Sequence, residues 1–319
     1  FNLIAANYYN NDKYLNNISI IKKNNIINLN SKSFDISSNI EKILRSQSKG
    51  SFLDIFENLN ASININIKSA KLDKEYNLNN LSGKVLIKNS EIYKANILGK
   101  FDTLNNFIFT KDKIENNKVT TIFSDIAKPF VKKFKFIKGF EGGKLDFTST
   151  EIKKDILKSE LRIYEFKLQD MPALTKLLSL ASLQGIADLA TGEGIRFNEF
   201  DMFFVNSEDL ITINEIYALG PAISILMEGY VEKNRLVSLK GTLVPATTIN
   251  KSIAKIPLLG NILVGEKAGE GVFGVSFKIK GPPKKLKTTV NPIKTLTPRF
   301  ITRTLEKIKK TEVKVKNTP

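Results

Sequence analysis

The chain has 319 residues, with 49 Lys or Arg against 32 Asp or Glu and a formal charge of +17. That length suits one large domain or two ordinary ones, and 42% hydrophobic with 25% charged residues excludes wholesale disorder. Cys, His and Trp are all missing, which excludes a disulfide framework, a thiolate zinc site, a Ser-His-Asp triad and a Cys-His dyad. The missing Cys does not fix the compartment, since oxidising compartments also hold Cys-free proteins.

Lys, Asn and Ile recur in blocks such as Lys22-Lys23-Asn24-Asn25 and Asn79-Asn80. Such blocks read as compositional bias, so the charge alone is a weak argument for nucleic-acid binding. It is also uneven: Glu266–Pro319 carries 14 Lys/Arg and 4 Asp/Glu, a net of +10. The chain opens on Phe1, not Met, and reads as a piece of a longer protein. No window reaches the ~20 apolar residues of a membrane span, so neither a signal peptide nor an anchor is visible, and the place for either is upstream of Phe1.

Most of the sequence has the period of two that predicts strands. Phe107 and Phe109 alternate with Ile108 and Thr110, and Leu145 with Phe147 forms the next such row. Leu161 and Ile163 share a face; Phe166 and Leu168 follow at a spacing that calls for a bulge. Phe203/Val205 and Ile211/Ile213 flank the turn sequence Asn206-Ser207-Glu208-Asp209. Ile223, Ile225 and Met227 form another row, and Val237 and Leu239 follow a Lys233-Asn234 turn. The clearest pattern is Val272–Lys280, where Phe273, Val275, Phe277 and Ile279 point one way and Gly274, Ser276, Lys278 and Lys280 the other.

Helices are few. Ser124 is placed to cap a helix over Asp125–Phe134 that Pro129 shortens or kinks. Asp170 and Pro172 open a leucine-rich helix through Leu180, and Thr248–Lys255 is a short one ending before Pro257. Pro298 opens a last helix to about Lys310, with Phe300, Ile301, Leu305 and Ile308 apolar. The expected fold is mainly β and antiparallel, with a few short helices and a C-terminal helix; that the sheet is elongated and curved and forms an apolar groove is what a family resemblance in the second half implies. Three parts are expected: 1–123, a β-rich N-terminal part of the groove; 124–281, more groove sheet with short helices; and 282–319, a basic segment and helix. The sheet pattern is read as ending at Gly281-Pro282-Pro283.

Motifs for chemistry are sparse. Gly192-Glu193-Gly194 and Gly269-Glu270-Gly271 lack the strand, loop and long helix of a phosphate site and read as turns. Asp35, Asp54, Glu57 and Asp201 are scattered and read as solvated charge, with no carboxylate pair or metal-ligand spacing. Lys280–Lys287 lacks interleaved aromatics and reads as a solvated turn. Many one-sided strands with few helices to cover them leave an apolar face for another sheet or a ligand.

A family resemblance lies in the second half. Asp170-Met171-Pro172, Gly185-Ile186-Ala187-Asp188-Leu189 and Gly192-Glu193-Gly194-Ile195-Arg196-Phe197 come in order. Gly220-Pro221-Ala222 precedes a strand through Gly229, and Gly241-Thr242-Leu243-Val244-Pro245 runs into Ile249-Asn250. Ile256-Pro257-Leu258-Leu259-Gly260-Asn261-Ile262-Leu263-Val264-Gly265, Glu270-Gly271-Val272-Phe273-Gly274, Gly281-Pro282, Val290-Asn291-Pro292 and Leu296-Thr297-Pro298 complete the series. Over about Asp170–Thr304 the chain resembles the C-terminal region of the AsmA-like envelope proteins, the YhdP-type branch; Ser33-Phe34-Asp35 fits an earlier element of the same family. The Asn/Lys-rich first hundred residues match sparsely.

The resemblance implies a non-enzymatic, periplasmic protein held in the inner membrane by an upstream helix. It would move phospholipid between inner and outer membranes along a β groove, together with an outer-membrane or periplasmic protein partner. No cofactor, metal or nucleic acid is implied. Exposing a sixteen-carbon chain to water costs on the order of 12 kcal/mol, so a lipid needs a continuous dry path. The expected groove lining is Leu161, Ile163, Phe203, Val205, Ile211, Ile213, Phe273, Val275, Phe277 and Ile279. Gly194, Gly229, Pro257, Gly260 and Gly271 are expected as structural turns, with Pro257-Leu258-Leu259-Gly260 either plugging the end of the sheet or forming a packed helix-turn-helix. Arg299, Arg303 and Lys307 either face water from a helix docked on the sheet or touch an anionic membrane surface. Two other readings stay open: an envelope scaffold with a closed core, and a basic module for anionic membrane or nucleic acid.

Overall fold

A computed structural model describes residues 3–10, 13–37, 60–89, 91–132, 139–169, 174–175, 178, 192–245, 274–283 and 285–293. The fold is mainly β, a sixteen-stranded sheet whose strand order follows the chain. By contacts the chain forms two units: Phe1–Phe166 with Asn206–Glu208, and Lys167–Val205 with Asp209–Pro319. The boundary expected between 123 and 124 falls inside the first of these.

The first unit is built from β1 (Leu3–Tyr9), β2 (Leu15–Lys23), β3 (Ile26–Asp35), β4 (Ala61–Lys71), β5 (Asn77–Lys88), β6 (Glu91–Lys100), β7 (Asn106–Ile114), β8 (Asn117–Ser124), β9 (Phe140–Lys153) and most of β10 (Ile156–Leu168). Asn24, Glu115, Asn116 and Asp155 turn the hairpins at positive φ, a conformation that Asn and Asp tolerate well. Antiparallel ladders dominate, but β3 and β4 run parallel from Ile26 opposite Ser62 to Asp35 opposite Lys71. In their central parts both strands alternate Ile or Leu with Ser or Asn, so the parallel pairing also keeps Ile27, Leu29, Ile63, Ile65 and Ile67 on one face.

Bulges bring apolar residues three apart onto the same face. Asn80 at φ 50 puts Leu78 and Leu81 together, and a Cβ added to Gly99 on the next strand would meet both. Glu165 at φ 50 does the same for Ile163 and Phe166, both of which lie over Gly143. The missing side chain on the neighbouring strand gives each crowded pair its space. Helix α1 (Lys128–Val131) has Pro129 in its first turn, and its Phe130 ring stacks on Phe107 at 5.5 Å. Ser124 does not cap it: the hydroxyl donates to the Ile126 carbonyl, while Ala127 occupies the cap position.

The second unit holds β11 (Ile195–Ser207), β12 (Leu210–Leu219), β13 (Ile223–Glu232), β14 (Leu236–Pro245), β15 (Gly274–Gly281) and β16 (Lys287–Ile293). β16 corrects the expectation that the sheet ends at Gly281, because it pairs with β15 from Gly274–Ile293 to Lys280–Lys287. Its sequence, with Pro292 and little alternation, hides a strand that suits an edge. β12 to β14 are also not wet on their second face throughout. Tyr217, Leu226 and Val244 form a cluster there with Leu219, and both Tyr217 and Val244 are fully buried.

Candidate functional site

Register fixes which side chains share a face in the first unit. One row runs across seven strands through Leu29, Ile65, Gly83, Ile97, Phe109, Ile122 and Phe147. Every member is apolar or glycine, and Leu29, Phe109, Ile122 and Phe147 are buried. Beside it, toward the Glu115-Asn116 turn, lies a row that changes character. It is apolar at Ile27, Ile63, Val85 and Ala95, then polar at Lys111, Thr120 and Ser149. Ser149 shares a 2.9 Å hydroxyl hydrogen bond with Ser159 on β10. On the far side of the apolar row, α1 roofs Phe107 with Phe130.

The polar end is ordered by charge. Lys118 lies 2.7 Å from Glu91 and 3.4 Å from Glu151, its register partner on β9. The hydrogen bond to Glu91 raises the Lys118 pKa, and the same contact lowers that of Glu91. Lys111 makes no ion pair among the described residues. Burial, then repulsion from Lys118, lowers its pKa against the opposing pull of Glu151 and Glu91. Sequence reading stopped the β7 pattern at Thr110 and missed Lys111, although its place two residues after Phe109 was the available signal.

In the second unit the same logic joins Ile216, Met227, Gly241, Phe277 and Val290 in one row. The rows on either side are Ala218, Ile225, Leu243 and Val275, and Ile213, Gly229, Leu239 and Ile279. Five expected lining residues, Ile211, Ile213, Val275, Phe277 and Ile279, therefore share one face. Phe277 is 2% exposed, with its ring over Gly241, where a Cβ would stand 2.6 Å from Cζ. Val275 and Ile213 are buried as well, whereas Ile211 and Ile279 are half-buried. Phe203 and Val205 are half-buried on β11, where alternation gives them the side of Ile195, Phe197 and Asp201. Leu161, half-buried, and Ile163, buried, belong to the first unit.

Gly194, at φ 85, links the Gly192-Glu193 turn to β11. Gly229 is not a turn residue, which corrects the expectation. It sits inside β13 opposite Ile213, beside the bulge that shifts β12 between Ile213 and Ile216. Its φ of 149 and the closeness of the Ser238 carbonyl leave no room for a side chain. Phe273, Pro257, Gly260, Gly271, Arg299, Arg303 and Lys307 lie outside the described residues, as do Asp54, Glu57 and the expected helices over Thr248–Lys255 and Pro298–Lys310. Of the leucine-rich stretch, Leu174, Thr175 and Leu178 are described and helical, with Leu178 buried.

Two carboxylates read as solvated are withdrawn from water: Asp201 is buried, and Asp35 is half-buried with its side chain 8% exposed. Asp201 is 1% exposed. Asp35 joins β1 to β4: it accepts from Asn10 at 2.7 Å, from the Ser37 N–H at 2.9 Å and from Lys71 at 3.1 Å. Its own N–H donates to Asn16, and Lys71 stands over the Tyr14 ring. Burial raises the Asp35 pKa, but the hydrogen bonds from Ser37 and the Lys71 pair outweigh it and leave the pKa below the ordinary value. The sequence offered no sign of this pairing, because Lys71 lies on a strand brought alongside only by the parallel β3–β4 ladder. Among the described residues no three carboxylates gather as a metal site. No protein-family model, curated protein or solved structure matches the chain.

Proposed function

We propose that the chain is a non-enzymatic holder or conduit for phospholipid acyl chains, which lie along the apolar face of its sheet. The observation that carries this reading is the apolar row from Leu29 to Phe147, unbroken across seven strands in register. At ~4.8 Å per strand the row is about 29 Å long, more than one extended acyl chain needs. Such a row supplies the continuous dry path that a lipid needs, with no bond made or broken. The resemblance of Asp170–Thr304 to AsmA-like envelope proteins supports the same reading. On it the chain works in the periplasm, between the two membranes, tethered through sequence upstream.

A scaffold with a closed core is the second reading, favoured by the burial of Ile163, Ile213, Val275 and Phe277. Photo-crosslinkers at Phe109 and Phe277, with Ile108 and Lys278 on the opposite face as controls, decide between them. Lipid captured at Phe109 and Phe277 but not at the controls supports a groove. Capture at none of the four, in protein purified without added lipid and again after lipid is supplied, leaves the scaffold.

A further inference from the structure

We propose that Lys111 receives the phosphodiester of a phospholipid headgroup, so that the polar half of the row beside the apolar one is a headgroup track. This rests on the acyl-chain reading and adds a direction to it. Four successive strands place Lys111, Thr120, Ser149 and Ser159 next to Phe109 and Ile122. A molecule lying across this face meets hydrocarbon on one side and a cation with hydroxyls on the other, which is the polarity of a phospholipid.

The position of Lys111 gives the track its chemistry. A half-buried cation next to Phe109 and Ile122, at the edge where the face turns polar, carries a desolvation cost that a protein removes with a carboxylate or by substitution. Here neither has happened. The nearby Glu91 and Glu151 are engaged by Lys118 at 2.7 and 3.4 Å. Lys111 is left as the cation nearest the apolar row, beside the half-buried Thr120, with the exposed Lys113 one step further out. Ser149 and Ser159 satisfy each other and form a neutral polar floor that repels neither phosphate nor glycerol oxygens. An ammonium on a flexible stem suits a phosphate as a point charge, with no need for bidentate geometry.

The test measures equilibrium binding of the full chain to phosphatidylglycerol and to diacylglycerol with the same acyl chains, both carrying a fluorescent chain. The wild type is expected to favour the phospholipid, and Lys111→Met to lose that preference about tenfold while keeping its affinity for diacylglycerol. Lys111→Arg, which keeps the charge, should retain the preference. Lys94→Met on the opposite face, where Lys94 pairs with Asp112, should not change it. Both lipids bound equally by the wild type, or a preference that survives Lys111→Met, would overturn the headgroup track and leave the acyl-chain reading standing. Binding of neither lipid by the wild type would overturn both.

Discussion

Replacing Phe277 by Ala tests whether the register-defined rows of the second unit are packed. The ring is 2% exposed and lies over Gly241, with Met227 on the far side of that glycine. Truncation removes an aromatic side chain that buries ~150 Å² or more, which at ~25 cal/mol per Å² gives about 4 kcal/mol. Measured large-to-small changes at aromatic core sites cost ~3–5 kcal/mol, in agreement. Gly241 cannot move in to fill the space, since its backbone is tied to Met227 and Phe277 in the ladder. In urea titrations followed by far-ultraviolet circular dichroism, the midpoint should fall by about 1–2 M with an unchanged slope. Lys278→Ala, exposed on the other face of β15, should change stability by no more than ~0.5 kcal/mol. If Phe277→Ala were as mild as Lys278→Ala, the ring would not be seated on Gly241 and the row would not be a packed surface.

Lys71→Met should cost about 2–4 kcal/mol in denaturant titrations by leaving the Asp35 carboxylate in a dry site, and adding Asp35→Asn should recover part of it. The folded-state pKa of Asp35 is depressed; its stabilisation is thus complete above the ordinary aspartate value and lost as pH falls through the folded value, and Asp35→Asn should flatten that acid limb. Lys111→Met should raise stability at neutral pH, because burial and repulsion from Lys118 hold the folded-state lysine pKa down. In the wild type, stability should therefore climb as pH rises from the folded lysine value toward the ordinary one, and the variant should lack the climb. Gly229→Val should cost more than about 2 kcal/mol or prevent folding, since valine at φ 149 meets the Ser238 carbonyl.

Strands were legible wherever alternation ran clean. Phe107 and Phe109, Ile223 to Met227 and Val275 to Ile279 all fell on real strands, and the Glu208-Asp209 and Lys233-Asn234 turns were set by residues that favour turns. Alternation says nothing about direction, so the parallel β3–β4 pair was invisible. It also misleads at bulges: Leu78 with Leu81, and Ile213 with Ile216, break period two and yet share a face. The Ile163 to Phe166 spacing was readable because the mismatch itself calls for an extra residue. The candidate site was harder. Its apolar half follows from pattern, but Lys111, Thr120 and Ser149 become neighbours only through the registers of three strands. Charged residues in Asn/Lys-rich sequence read as solvent-facing by default, and that default hid Lys111, Asp35 and Asp201 alike.

The parallel pair also bears on how the first unit folds. Elsewhere in it, most successive antiparallel strands close through short turns, as β7 and β8 do at Glu115-Asn116, and the longer connection from β8 to β9 carries α1, so a growing hairpin can add one strand at a time at little entropic cost. Joining β3 to β4 instead requires residues as distant in sequence as Ile27 and Ile63 to meet before any ladder contact stabilises them. That closure is the slow, non-local event in an otherwise local topology. β4 to β9 should therefore be able to form first as a cooperative block, with β1 to β3 docking later and opening earlier. Amide exchange would register the seam as faster exchange throughout β1–β3, although Ile27 and Leu29 are as deeply buried as the residues they face.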